Sequence, residues 1–541
     1  MSCSQLLARW SMVFCSILGS VTSLAVAADP EPAPQVIAIR VGRIYTGQGE
    51  VLERGVLLIN GGRITAVGRD LVIPADANVL EFPTACLTAG LIDANARIES
   101  RDIVSRDRTG SGVSEAHAPT EVTGHAPHDP SHAHDSTSDA HCAPPNASVA
   151  RASGHDEDSP CLPPACSVPH HWLTETEEEF VCHACGGADI DPPELASGVV
   201  ETFASSEQTA EVIPHTRVID TLNLDSPDFQ RLLRGGVTTV YVSPDSSAVL
   251  GPRGAIVRTA GSARERIVRA EDAVKATIGR DPIWVGMPNR PARGAAVSTY
   301  TRRPTTRMGV VWVLRKAFHE AILRMQGRPL TGGADTPTEP ALDSIIEILR
   351  GDVPLRIQAR SLHDIATALR ISEEFGFRFT LEEATDAYRC AELLKSRSVP
   401  IIFGPIYMQA SGVRSMGGEV RENRLNSMSL LRAHGIQAAL SAQELREEDG
   451  LARQAMYAMR FGYTFEDALR AVTLIPAQLL GLEHELGSVE VGKRGDVVVW
   501  SGEPFAATAR PLLVLNGGRV VLDARDREPA AKVGKATQNG F

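Results

Sequence analysis

The most concentrated chemistry in the chain lies in CLPPACSVPHHWLTETEEEFVCHACGG. There Cys161 and Cys166 are four residues apart, Cys182 and Cys185 two apart, and fifteen residues separate the pairs. Four thiolates at such spacing can close a tetrahedral structural zinc site, with His170, His171 and His183 as further ligands. A zinc there would fold a loop too poor in apolar residues to fold alone. The first pair is wider than the usual C-x2-C, and an oxidising compartment would as readily join these sulfurs as disulfides. Loose chelation is the third possibility. Ten of the fifteen histidines fall between His117 and His183. The upstream tract HAPHDPSHAHD is a weak chelator or a solvated linker.

The compartment follows from residues 1–27, where Arg9 precedes an apolar stretch from Trp10 to Leu24 and the tripeptide Ala25-Val26-Ala27. That layout predicts a cleaved secretory signal, hence a periplasmic or extracellular protein without a membrane span after cleavage. Cleavage removes Cys3, Cys15 and one positive charge, taking the net charge from -12 to -13. The seven remaining cysteines are 86, 142, 161, 166, 182, 185 and 390, an odd number that cannot all pair within the chain. The acidic balance disfavours nucleic-acid binding.

The elements that would position a site divide into three kinds. Residues 28–89 and 484–530 alternate β-branched runs with turns such as Asn60-Gly61-Gly62 and Asn516-Gly517-Gly518, which predicts a composite β-sandwich built from both termini. Residues 90–103 and 199–483 alternate buried-strand runs with amphipathic helices, for example PLRIQAR before SLHDIATALRISEEFG. That pattern predicts an α/β fold, a (β/α)8 TIM barrel. Residues 104–198 form a His/Cys-rich insertion, expected to be partly disordered and to contain the possible zinc module. Residues 531–541 read as a flexible tail.

Several long motifs carry a resemblance. LTAGLIDANARIES, VLGPRGAIVRTAG, TTRMGVVWVLRKAF, LEEATDAY and AVTLIPAQLLGLEHELGSVEVGKRGDVVVW are similar to segments of the amidohydrolase superfamily, in its imidazolonepropionase-like branch. The resemblance covers about residues 36–103 and 200–525. It implies a metal-dependent hydrolase of non-peptide carbon–nitrogen bonds, often in cyclic amides, with water activated on one or two divalent ions at the C-terminal ends of barrel strands.

Matched residue by residue, the ligand positions of that family depart together. The first-strand His-x-His falls on Asn95-Ala96-Arg97, the fifth-strand histidine on Gln358 with Arg360 beyond it, the sixth-strand histidine on Glu383, and the eighth-strand aspartate on Gln443. A guanidinium offers no lone pair to a cation, and amide oxygens are neutral. The expectation is therefore a degenerate metal site with no cofactor in the barrel, one or both arginines pairing with Glu383, and a mouth that binds a small molecule or protein without catalysis. The alternative is an active hydrolase in which Glu383, Glu382 or Asp386 is the general base and Arg97 an electrostatic stabiliser. Asp93 is expected to be structural and His363 a surface or capping residue. His215, His319, His434 and His484 read as isolated, and Gly251–Gly254 as a plain turn. The family frequently forms oligomers, and no symmetry signal is visible here.

Overall fold

The computed structural model describes residues 36–98, 210–284, 304–333, 336–406, 424–443 and 450–525. The expected signal segment, the cysteines at 142, 161, 166, 182 and 185, His170, His171 and His183 all lie outside them. Five strands open the described chain: β1 (Ile37–Tyr45), β2 (Val51–Glu53), β3 (Val56–Asn60), β4 (Arg63–Gly68) and β5 (Asn78–Ala89). The β3–β4 hairpin turns on Gly61 and Gly62, both at positive φ, where a side chain would be strained. Parallel pairing of β1 with β5 leaves the other edge of β5 to Val497–Trp500, in the register Val497 opposite Ala89 and Trp500 opposite Cys86. Pro511–Asn516 and Arg519–Asp523 extend that edge, so one eight-stranded sheet draws on both ends of the described chain. Its buried face is apolar throughout, with Ile39, Leu57, Ile59, Leu87, Val497, Val499, Leu513 and Leu515 packed together.

The next strands are β6 (Leu91–Ala96), β7 (Val237–Val242), β8 (Leu250–Arg253), β9 (Ala255–Arg258), β10 (Ile267–Arg269), β11 (Val274–Thr277), β12 (Leu355–Ala359), β13 (Phe379–Glu383), β14 (Ile401–Phe403) and β15 (Ala438–Leu440). β6 and β7 are parallel, as are β11 through β15 in sequence order. The ladder is not one continuous parallel sheet, because β9 runs antiparallel to β7 and β8 antiparallel to β11. The stretch Gly251–Gly254 is thus strand and strand junction rather than a turn. A Cβ on Gly254 would lie 2.3 Å from the Tyr241 ring, which explains the glycine. On the other side, Arg97 N donates to Gln443 O at 3.1 Å and Ser441 Oγ to Asn95 O at 3.0 Å, which ties the end of β6 to that of β15.

Strands such as VTTVYV, LRIQA, IIF and AAL are buried at every position, as parallel strands covered on both faces must be. One cover is the helix Leu362–Phe375, which starts on the Ser361 cap and ends at Gly376 with φ +76. It buries Ile365, Ala368, Leu369 and Ile371 and leaves Arg370, Glu373 and Glu374 exposed.

Candidate functional site

The C-terminal ends of these parallel strands carry a layer of polar side chains in an otherwise apolar interior. Asp281, four residues beyond β11, receives Arg360 Nη1 on Oδ1 at 2.7 Å and Arg360 Nη2 on Oδ2 at 2.6 Å. This is the two-pronged guanidinium–carboxylate geometry that makes such pairs strong. Arg360 turns its remaining Nε toward Glu383 Oε2 and donates to it. The other Glu383 oxygen accepts from Gln443 Nε2. Gln358 donates through Nε2 to Asp281 Oδ2 at 2.6 Å and accepts from Ser246 Oγ at 2.6 Å. Ser246 in turn accepts from Arg97 Nη2 at 2.9 Å, and the same nitrogen lies 3.8 Å from Glu383 Oε1.

Arg97, Gln358, Arg360, Glu383 and Gln443 therefore stand in one hydrogen-bonded layer, with Asp281 and Ser246, which the sequence reading did not single out. Asn95 lies at the same strand end, fully buried, with neither side-chain amide atom holding a partner. Glu383 and Gln443 both have left-handed backbones, φ +65 and +56. Each costs about 1–3 kcal/mol that the surrounding bonds must over-determine. Burial works against charge at Arg360, but Glu383 and Asp281 outweigh it and hold the guanidinium pKa well above its ordinary value. Burial likewise pushes the Asp281 carboxyl upward, and the facing Arg360 reverses this, leaving it below the usual carboxylate range.

A second charged layer lies beside the first. Glu382 is fully buried, its oxygens 3.2 Å from Lys275 Nζ and 3.1 Å from Arg356 Nη1, close enough for charge pairing but not aligned for hydrogen bonds. Lys275 donates to Ser243 Oγ at 2.9 Å, and Arg356 donates to Ala94 O at 2.8 Å while lying over the Tyr241 ring. Burial lowers the Lys275 pKa despite the opposing pull of Glu382. The available signal for these residues was a charged side chain inside an otherwise apolar strand run: Lys275 in VKAT, Arg356 in LRIQA.

The other candidates fall outside this network. Asp93 accepts from the backbone N–H of Asn95 and of Ala442, each at 3.0 Å, and burial raises its pKa; it fastens β6 to β15. Asp386 accepts from Leu362 N at 3.1 Å and lies 3.6 Å from Arg389. His363 is exposed beside Asp364, His434 contacts Glu392 at 2.6 Å, and His215, His319 and His484 are exposed. Burial pushes the thiols of Cys86 and Cys390 up to about 11. Two clefts of about 360 Å³ border His363, Thr367 and Arg370, and none of their lining residues belongs to the network. Among the described residues, no three His, Cys, Asp or Glu side chains are placed to share a metal ion, and no helix is long and apolar enough to cross a membrane.

A family model described as "Amidohydrolase family" matches residues 429–522. Amidohydrolase tasK of Hapsidospora irregularis is 25% identical over 374 residues, 62% of this chain and 37% of its own length. Imidazolonepropionase of Pseudomonas entomophila is 44% identical over 86 residues, 15% of this chain and 21% of its own. The chain thus spans well under half the length of these curated relatives. A solved amidohydrolase from Thermotoga maritima MSB8 superposes with a TM-score of 0.64 at 23% identity, over 90% of this chain and all of that one, a likeness of fold. The fold is of the TIM-barrel class, with mixed α and β content. Residues 429–522 thus match the amidohydrolase family, and shorter stretches of the chain are similar to imidazolonepropionases.

Proposed function

We propose that this protein is a non-catalytic amidohydrolase homologue whose strand-end layer is a binding site without the family's metal. The observation that carries this reading is the double occupation of Glu383: Arg360 and Gln443 take one oxygen each, and Asp281 clamps the arginine. The donor set does not fit a divalent ion. Its one carboxylate at a family ligand position is spent on a guanidinium, Gln358 is committed to Asp281 and Ser246, and two arginines stand where a cation would be repelled. The same facts weigh against Glu383 as a metal-free base, since a base must offer water a free oxygen and would forgo several kcal/mol of Lewis-acid assistance.

The test is metal content and turnover of the purified full chain beside a variant with Cys161, Cys166, Cys182 and Cys185 all changed to serine. The expected result is that any bound zinc disappears with the cysteines and that cyclic amides are not hydrolysed. Stoichiometric metal retained in the cysteine-free variant overturns the reading, as does amide turnover abolished by Glu383→Gln. The remaining parts of the proposal are export with cleavage after Ala27, a (β/α)8 barrel beside a composite β-sandwich, and structural zinc on the four cysteines. N-terminal sequencing of the exported chain checks the first. A thiol count under denaturing, non-reducing conditions checks the last: four protected but reducible sulfurs exclude the zinc module.

A further inference from the structure

The helix Arg307–Met325 is apolar on two sides. Val310, Leu314, Ala317, Phe318 and Ala321 belong to its buried face. A second stripe, Met308, Val311 and Trp312, lies roughly a third of a turn away, with Met308 80% exposed and Trp312 61%. A helix packed on one side needs apolar residues only there. Met308 and Trp312 are four residues apart and so adjoin on the helix surface, a patch rather than a scattered residue.

Across from this stripe runs one row of the helix Leu362–Phe375, in which His363, Thr367, Arg370 and Glu374 recur at helical spacing. Two ion pairs tie the helices together along the row. Arg307 donates Nε to Asp364 Oδ1 at 2.9 Å and Nη2 to Asp364 Oδ2 at 3.2 Å, and Arg315 Nε donates to Glu374 Oε2 at 2.8 Å. Both arginines border one of the two clefts of about 360 Å³, and Met308, Val311 and Trp312 line it together with His363, Thr367 and Arg370. Trp312 and Arg370 thus open onto one space, whose volume falls within the roughly 300–1,000 Å³ of small-molecule sites.

Arg370 sets what that space would hold. Arg307 is paired with Asp364, Arg315 with Glu374 and Arg397 with Glu373, but Arg370 meets no carboxylate among the described residues. Its Nη2 donates to Thr367 Oγ1 at 3.0 Å, and that hydroxyl donates to His363 O at 2.8 Å, so the guanidinium is anchored within its own helix. The side chain is exposed and keeps further N–H donors for an incoming acceptor. An anchored side chain also loses less freedom when a ligand arrives.

We propose that this cleft binds a small carboxylate with an aromatic body, the carboxylate on Arg370 and the ring against Trp312 and Met308. The fork of a guanidinium matches a planar carboxylate, and an exposed indole gains most from a flat apolar partner. The other arginines at the clefts are already paired, so one acid group is the match. No member of the strand-end layer lines the cleft, and the proposal stands or falls apart from the metal-free reading.

Calorimetric titration of the full chain with 3-phenylpropionate, 3-phenylpropanamide and acetate tests it. The phenylpropionate is expected to bind saturably; the amide, which lacks the charge, and acetate, which lacks the ring, should bind at least tenfold more weakly. Trp312→Gln and Arg370→Gln should each weaken phenylpropionate tenfold or more. Both side chains are exposed, so the variants should keep the fold, which unchanged urea midpoints verify. Absence of saturable binding, equal affinity for the amide or for acetate, or wild-type affinity in both variants overturns the proposal. Sedimentation velocity adds a further check: a dimer that dissociates on Trp312→Gln assigns this face to a second copy of the chain and overturns it as well.

Discussion

The eight-stranded sheet and the strand-end layer are both buried, yet they are held by opposite means. The sheet joins Ile39, Leu57 and Leu87 to Val497, Val499 and Leu513 through contacts that have no direction, so a misfit of one methyl group is shared among neighbours. The layer joins Asp281, Arg360, Glu383 and Gln443 through bonds that each need one particular partner atom. Removing one member leaves the others charged and dry. Apolar burial tolerates approximation, whereas a buried ionic network tolerates none, because desolvation is lost whether or not the pairing is completed.

The sharpest way to break this contrast is Arg360→Leu, which takes the guanidinium from Glu383 and Asp281 at once. It should destabilise by about 3–5 kcal/mol, read as a lowered urea midpoint with an unchanged m-value. Leu87→Ala, at the centre of the sheet, leaves a cavity of ordinary kind and should cost roughly 3 kcal/mol in the same experiment. A loss from Arg360→Leu well below that of Leu87→Ala would show that the layer relaxes as freely as the apolar core.

Acid sharpens the comparison further. The folded pKa of Asp281 lies below its ordinary value, so its stabilising contribution is fully present above the unfolded pKa of about 4 and is lost as pH falls through the depressed folded value. Asp281→Asn should therefore flatten the acid limb of stability against pH, measured as urea midpoints at neutral pH and below pH 4, while Leu87→Ala shifts that curve without changing its shape. The smallest effect belongs to the sheet's surface. Arg40 and Glu81 pair at 3.2 Å with both side chains more than half exposed, and Arg40→Ala should change stability by no more than about 0.5 kcal/mol.

Local signals were legible where a short stretch of chain decides its own conformation. The turns at Asn60-Gly61-Gly62 and Asn516-Gly517-Gly518 follow from glycine's access to positive φ, and the buried face of Leu362–Phe375 follows from helical period. Gly251–Gly254 misled because glycine also serves close packing, here against Tyr241, and sequence does not show which use applies. Asp281 stayed invisible for a related reason: in GRDPIW it looks like any loop carboxylate, and only its two-pronged contact with Arg360, seventy-nine residues away, gives it a place in the site. Lys275 and Arg356 left a trace, a charge within an apolar run, without naming a partner.

The sequence by itself carried the expectation that Asn95, Arg97, Gln358, Glu383 and Gln443 stand where the resembling family has imidazoles and an aspartate. Which charge meets which was decided only by the fold. Arg360 rather than Arg97 takes the close contact with Glu383, Asp281 arrives at the start of the short helix Asp281–Trp284 to hold it, and Arg97 is left with a buried nitrogen that has no partner. Pairing energies in a dry interior change within an ångström, and chain separation carries no information at that scale.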